Sequence, residues 1–458
     1  MAETPVGRLL WSFSLPAIAG MVVSSLYVVI DRAFLGNAVG KEALAGLTIC
    51  LPISFAMMAV GMLLGIGSGA LVSIRLGQQK KAEAELILGN AVSLIGVASV
   101  VASAGFLLAL PQLLQAFGAT EAALPYATQF MQIILLGSFF QYVSFGLNAV
   151  IRAEGNPRLA MLTLLINAGL NIALDALFIF GFGWGVPGAA LATVLAQGVS
   201  AVWTLAHFRS RHSVLVLRLA NLRLRWDVVR PAMAIGLAPC SMHLAASVSS
   251  LLVNRGLARL GGDTAIGAYG AIGAISMLLL MPVFGITQGA QPIIGFNFGA
   301  GKLARVRRTL RLAVAAATTL VCLGFAVAQT IPARLIHGFS PDPGMVAVGA
   351  RGLRMCLLLA PVIGFHVVGA HFFQAIGKAK TALVLGLTRQ VLVLIPLLII
   401  LPRFFGLDGV WLAGPVADGV ATLLTGALLA HQLRSMRRQE RSAAQAAPVE
   451  PSLASAAP

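Results

Sequence analysis

Apolar runs long enough to cross a bilayer follow one another almost without interruption along this chain, and that leaves very few folds open. A helix needs about 20 apolar residues to cross a hydrocarbon layer of roughly 30 Å, and only helices and closed barrels satisfy every backbone polar group there. Twelve such runs are read near 9–35, 43–74, 86–110, 123–150, 159–182, 187–208, 230–255, 265–296, 310–334, 344–377, 380–402 and 408–434. The second, eighth and tenth are long enough to include loop or interfacial residues. With 58% hydrophobic residues and 10% charged, a water-facing surface cannot be covered by polar groups, so a soluble globule is excluded. The fold expected is an all-α integral membrane protein with twelve transmembrane helices.

A net charge of +17 would suggest nucleic acid in a soluble protein, but here the basic residues alternate between loops. With a cytoplasmic amino terminus, 23 of the 32 Lys and Arg fall on the inner side, including six Arg between Arg209 and Arg230 and the cluster Lys302, Arg305, Arg307, Arg308 and Arg311. Eight fall outside: Arg32, Lys41, Arg255, Arg259, Arg334, Arg351, Arg354 and Arg403, with Arg389 inside a span. This bias predicts a multi-pass protein with both termini cytoplasmic, of the kind found in a bacterial inner membrane, and no nucleic-acid partner. The first apolar run is too long for a cleavable signal peptide. Trp11, Trp184, Trp226 and Trp411 lie near predicted span ends, where indoles favour the headgroup level. Cys50, Cys240, Cys322 and Cys356 fall inside spans without metal-ligand spacing and read as small buried apolar residues. No enzyme chemistry, cofactor or structural metal is expected.

The chain is internally duplicated. Gly77 and Lys80 coincide with Gly299 and Lys302 at a shift of 222 residues, as Gly155 does with Gly377, while Pro16 and Pro239 pair at 223 and Gly188 and Gly409 at 221. The expected organisation is a six-helix lobe over 1–208, a cytoplasmic linker over 209–229, a second six-helix lobe over 230–434, and a tail over 435–458 that is first basic and then disordered. Six spans is an even number, so the repeats are related by an axis along the membrane normal and suit alternating access around a central cleft.

Two aspartates, Asp31 and Asp175, each stand alone in an apolar run of the first half, and the matching positions of the second half, Asn254 and Leu397, carry no acid. A carboxylate in hydrocarbon costs several kcal/mol unless it is protonated or paired, so such a residue reads as part of an ion or substrate path. Thr163, Asn167, Asn171 and Asp175, spaced by four, draw one polar stripe along the fifth helix. Asp175 lies 17 residues beyond Arg158, roughly 25 Å along a helix, and Asp31 lies 23 beyond Arg8, ahead of a helix-ending Gly36, so both acids can share one level in the outer part of the bilayer. Tyr27 and Asn171, one turn before each acid, can supply partners to a cavity that takes a proton or a sodium ion; sodium would sit among Asp31, Asp175 and Asn171.

Arg389 and Asp418 form a second intramembrane pair, expected to neutralise each other across neighbouring helices. His366 and His371, five apart, read as satisfied core histidines. Pro16, Pro52, Pro239, Pro282, Pro292, Pro361 and Pro396 allow bending, and Gly61, Gly65, Gly67 and Gly69 give the second helix a thin face for close packing.

The stretches Leu26–Gly36 (LYVVIDRAFLG), Ile151–Pro157 (IRAEGNP), Leu170–Asp175 (LNIALD), Gly188–Thr193 (GAALAT) and Gln291–Gly301 (QPIIGFNFGAG), in this order and spacing, resemble the multidrug and toxic compound extrusion (MATE) transporters, and the damage-inducible bacterial branch among them. The resemblance implies two six-helix lobes around a central cleft and export of organic cations, mostly amphiphilic, by a monomer in exchange for protons or sodium. It places coupling on Asp31 and Asp175, with Asn171 and Thr193 beside them and Asn148 as a further candidate, alongside Tyr27 and Asn167 from the stripe reading. Family members that use second-lobe acids carry them on the seventh and tenth helices, where this chain has Asn254 and two histidines. Arg32 departs from the small polar residue usual after the first-helix acid. The alternative is a related flippase for a lipid-linked sugar or other amphiphile. An intramembrane aspartyl protease would want its second acid in a Gly-x-Gly-Asp setting, whereas Asp175 follows Ile172-Ala173-Leu174.

Overall fold

The computed structural model describes residues 4–39, 46–117, 121, 123–339 and 342–446. Among them the chain is helical nearly throughout. The first lobe holds α1 (Val6–Ala38), α2 (Leu51–Gly77), α3 (Lys81–Ala116), α4 (Leu124–Leu136 and Ser138–Ala153, bent by 57°), α5 (Pro157–Asp175, continued by a π-helical turn Ala176–Gly181) and α6 (Gly185–His207). The second holds α7 (Trp226–Leu257), α8 (Thr264–Gly299), α9 (Leu303–Thr330) and α10 (Pro343–Cys356 and Ala360–Ala375, bent by 50°). The long stretch Ala379–Glu440 supplies α11 (379–405) and α12 (407–446), divided at Gly406 with φ 56°. Gly262, with φ 59°, likewise turns the chain between α7 and α8. Only glycine enters that region without cost, which is why each reversal needs no longer loop.

The duplication seen in the sequence is carried by the elements. Helices end at Gly77 and Gly299, begin at Lys81 and Leu303, at Ser138 and Ala360, and at Pro157 and Ala379, each pair 222 residues apart. Asn156 caps α5 by accepting from Leu159 N (3.2 Å), with Pro157 in the first helical position, and Asp342 with Pro343 does the same for α10. Leu108, Leu392, Phe404 and Leu423 stand exposed on the outside, as a lipid-facing surface requires.

The lobes meet through α1 and α2 on one side and α7 and α8 on the other. Their closest approaches lie towards one end, the face that carries Lys80, Lys302, Lys378 and the arginine-rich segment between α6 and α7. A Cβ built on Gly67 would lie 1.9 Å from Ala232 O, and one on Gly236 would lie 1.9 Å from Leu63 O. Gly77 and Gly299 meet Phe296 O and Ile74 O in the same way, at 2.0 and 2.1 Å. Glycine is obligatory where backbones come this close. Further along, Gly285 packs on Ile18 and Gly289 on Ser14, whereas Gly270 and Gly273, nearer the other end of α8, have nothing within 4 Å of an added Cβ. The lobes are therefore sealed at the basic face by backbone-to-backbone contact.

Three expectations need correcting. Gly36 does not end α1, which runs through it to Ala38. Trp411 is not interfacial: it is 1% exposed, packed on Gly352 and tilted against Tyr269 with ring centroids 6.0 Å apart. Helix α12 continues to Ala446, into residues whose composition suggested disorder, because Met436 is fully buried and Arg307 pairs with Glu440. Residues 447–458, Lys41 and the side chains of Arg32 and Arg441 lie outside the described residues.

Within the second lobe, Arg389 Nε donates to Asp418 Oδ1 at 2.5 Å and Arg389 Nη1 to Gln390 Oε1 at 3.0 Å, while Gln390 Nε2 donates to Ser249 Oγ at 3.1 Å. This ties α11, α12 and α7 together from the π-helical segment Thr388–Leu394. His366 Nδ1 bonds Thr425 Oγ1 and His371 Nδ1 bonds Val367 O, at 2.9 and 2.8 Å. The free cysteines Cys50 and Cys240 are buried, and Cys322 and Cys356 half-buried.

Two outcomes follow from this packing. Gly236→Leu should force the sealed end apart, an overpacking cost of about 1–3 kcal/mol; a cysteine placed at Ser73, fully buried beside Gly295, should then react with a water-soluble maleimide roughly tenfold faster or more, since about 1.4 kcal/mol corresponds to tenfold. Unchanged labelling would mean the seal does not depend on this contact. Removing one member of the Arg389–Asp418 pair should cost about 3–5 kcal/mol, while Arg389→Met with Asp418→Leu should recover most of it, as read from thermal unfolding midpoints in detergent.

Candidate functional site: an acid chamber in the first lobe

Helices α1 and α5 pack side by side, with Gly20 of α1 against Leu164 of α5. Further along the same pair, α1 presents Tyr27 and Asp31, four residues apart, and α5 presents Asn167, Asn171 and Asp175 at the same spacing. One helical face thus meets another, polar to polar. Asp31 and Asp175 lie within electrostatic reach of each other, and Tyr27 within reach of both. Asp175 is 0% exposed and Asn171 1%. From α6, Thr193 joins the group: its Oγ1 accepts from Asn171 Nδ2 at 3.2 Å.

Several acceptors of this group are unmet. Both oxygens of Asp175, the amide oxygen of Asn171 and the amide oxygen of Asn167 are buried without a hydrogen-bond donor. Buried acceptors are normally satisfied, because each orphan costs about 1–3 kcal/mol of desolvation. A run of acceptors spaced by four along α5 is therefore an environment that gains free energy from a proton or a small cation. Carboxylate and amide oxygens without a Cys or His beside them are the donor set of hard cations. Among the described residues no group of three or more His, Cys, Asp or Glu is placed to hold a metal ion. The π-helical turn Ala176–Gly181 begins directly after Asp175, and such wide turns recur at functional sites because they re-aim neighbouring side chains.

Five of the residues singled out from the sequence, Tyr27, Asp31, Asn167, Asn171 and Asp175, share this α1–α5 face, and Thr193 bonds to it. Asn148 is not among them. Its Nδ2 donates to Ala160 O at 2.8 Å and its Oδ1 accepts from Arg152 Nη1, which commits it to the basic end of α4. Thr163, the first member of the stripe, is likewise used up, donating to Leu159 O at 3.0 Å.

The sequence reading also missed a part of the sealed end. Arg152 lines a small cavity with Gly69, Ala149, Ala153, Gln291 and Pro292, between α2, α4 and α8. Its spacing of four from Asn148 is the sequence signal of this internal partner. Glu154, two residues further on, has an almost wholly buried side chain that bonds His207 of α6.

The MatE family profile matches residues 16–177 and again 239–400, two copies offset like the structural repeat. Among curated relatives, the multidrug export protein MepA of Staphylococcus haemolyticus strain JCSC1435 is 26% identical over 427 residues, covering 92% of this chain and 93% of the relative. Among solved structures, the MATE multidrug transporter DinF-BH, in complex with a small organic ligand, is 39% identical, covers 94% of this chain and 97% of its own, and superposes with a TM-score of 0.88. A MATE crystal structure in a bent conformation shares the fold at a TM-score of 0.90 with 22% identity, over 95% of this chain and 97% of its own. The likeness to DinF-BH supports the damage-inducible branch. With the profile filling both lobes and a duplicated architecture of twelve helices among the described residues, the chain belongs to the MATE family of multidrug efflux transporters, multi-pass membrane proteins that carry small molecules and are not enzymes.

Proposed function

We propose that this protein exports cationic amphiphilic compounds in exchange for protons or sodium ions, and that Asp31 and Asp175 are the groups through which ion and drug compete. The observation that carries this reading is the cluster of buried, unmet acceptors between α1 and α5: the side-chain oxygens of Asn167, Asn171 and Asp175 have no donor. Tyr27, Asn171, Asn167 and Thr193 shape it, and a sodium ion would take Asp31, Asp175 and Asn171 as ligands. Asn148 acts at the sealed end, holding Arg152. The small organic ligand bound by DinF-BH supports an organic substrate for this chain as well.

The cycle follows from linkage. With the cleft open to the basic face, which we place in the cytoplasm with both termini of a bacterial inner-membrane monomer, the charged acids favour a drug cation. With the lobes sealed at that face, as here, an ion arriving from outside neutralises the acids and the drug cation leaves. Two ligands that use one charge must each weaken the other by the same factor. The second lobe, whose charged pair is internally neutralised, takes no part in ion exchange.

Asp175→Asn is the direct test. The variant should fold and elute as the parent does, yet lose ion-driven efflux of ethidium from proteoliposomes under either a pH gradient or a sodium gradient, each imposed alone. In the parent, whichever gradient drives efflux names the coupling ion. Efflux by the variant at the parental rate would remove Asp175 from the mechanism.

A further inference from the structure

The two lobes repeat in shape but reverse in charge at one matched place. The third helix of each lobe begins after the same turn, with Lys80 at φ −94°, ψ 63° and Lys302 at φ −82°, ψ 64°. Its first turns carry Glu83 and Glu85 in α3, and at the positions 222 residues on, Arg305 and Arg307 in α9. Three of these four side chains hold a segment that leaves or enters a lobe. Glu85, 5% exposed, accepts from Val216 N at 3.4 Å and pairs with Arg218 Nε at 3.1 Å, both in the segment that follows the first lobe. Arg307 pairs with Glu440 in the last turns of α12, where that helix runs on past its apolar part. Arg305 Nη2 donates to Thr4 O at 2.6 Å, so the chain's start is also held on the basic rim.

The reversal runs against local stability. Acidic side chains suit the positive end of the helix dipole, as Glu83 does in α3, and basic ones do not; α9 has no acid in its first turn. A duplicated chain also faces a problem of assignment, because two lobes of one shape offer two similar docking rims to two trailing segments. Opposite signs solve it: Arg218 offered to the α9 rim meets Arg305 and Arg307, and Glu440 offered to the α3 rim meets Glu83 and Glu85. Like charges brought together cost energy that the correct arrangement does not, which is how specificity is built against a wrong partner.

We propose that the reversed charges at the starts of α3 and α9 direct each trailing segment to its own lobe, so that the inter-lobe segment is fixed to the first lobe and travels with it during transport. Further contacts complete the attachment. Asn90 Oδ1 accepts from Arg225 N at 2.7 Å and Asn90 Nδ2 donates to Asn221 O at 3.2 Å. Ser93 Oγ donates to Leu222 O at 2.6 Å, and Ser213 Oγ donates to Glu154 Oε2 at 2.7 Å. A Cβ on Gly89 would lie 2.4 Å from Asn221 O, so the segment lies flush on α3. The covalent hinge between lobes is thereby confined to the join of Arg225 and Trp226, where α7 begins.

Two experiments on the full chain test this. In the first, R307E/E440R keeps a salt bridge in the second lobe and improves the dipole match of α9, yet puts a glutamate at the matched docking position of both rims, 85 and 307, and an arginine opposite each on both trailing segments. The proposal expects a several-fold lower yield of monodisperse, transport-competent protein, and expects E85R/R218E/R307E/E440R, which restores opposite signs, to regain most of it. Parental yield from R307E/E440R, or a four-residue exchange no better than the two-residue one, overturns the proposal. In the second, S93C/L222C in a background without the four native cysteines is joined by a short bis-thiosulfonate. Cross-linked protein should transport ethidium at the uncross-linked rate; a block overturns the assignment of this segment to the first lobe.

Discussion

A carboxylate taken out of water without a donor must be neutralised by something that can arrive and leave, and the first lobe is organised around that requirement. Asp175 has no hydrogen-bond partner for either oxygen, and the amide oxygens of Asn167 and Asn171 repeat the same lack one and two turns away. Asp31 reaches the group from α1. A static protein would have filled this space with donors or removed the acids. The second lobe satisfies its intramembrane polar groups instead, joining Asp418 to Arg389 and Gln390 to Ser249. The asymmetry between lobes is thus a difference between polar groups satisfied within the protein and polar groups left unmet, which is where the proposed exchange of ions would take place.

Helix α1 connects that chamber to the sealed end. Its far half carries Tyr27 and Asp31, and its near half packs Ser14 and Ile18 against Gly289 and Gly285 of α8. Pro16, inside the helix, lacks the N–H that would resist bending beside this contact. A change of charge at Asp31 and a change of packing at Ser14 therefore act on one continuous element, the kind of physical link that coupling between distant sites needs. On the other side, Gly67 and Gly236 let α2 and α7 touch backbone to backbone.

Much of this was legible in the residues. The lengths of the apolar runs gave the helices, the 222-residue shift gave the two lobes, and the spacing of four from Thr163 to Asp175 gave the stripe. What escaped was information that exists only between segments. Asn148 lies on a span with the right chemistry, but its neighbour Arg152 takes its oxygen, and a one-dimensional reading cannot rank the two claims. Trp411 sits near a span end yet faces inward, because Gly352 leaves a flat recess for it. The bend at Gly137 in α4 has no proline to announce it; Val194 of α6 occupies the space where its side chain would stand. The helix beyond Arg434 is stabilised by Arg307, which lies more than a hundred residues earlier in the chain.

The most direct test of the central claim is the affinity of purified protein for ethidium, measured by fluorescence anisotropy while proton and sodium concentrations are varied separately. If drug and ion use one charge in the α1–α5 chamber, raising the concentration of the coupling ion should weaken drug binding up to about tenfold per tenfold change in the ion, as one-for-one competition requires, and replacing both Asp31 and Asp175 by Asn should abolish that dependence. Affinity that is indifferent to both ions in the parent, or a dependence that survives the double replacement, would contradict it.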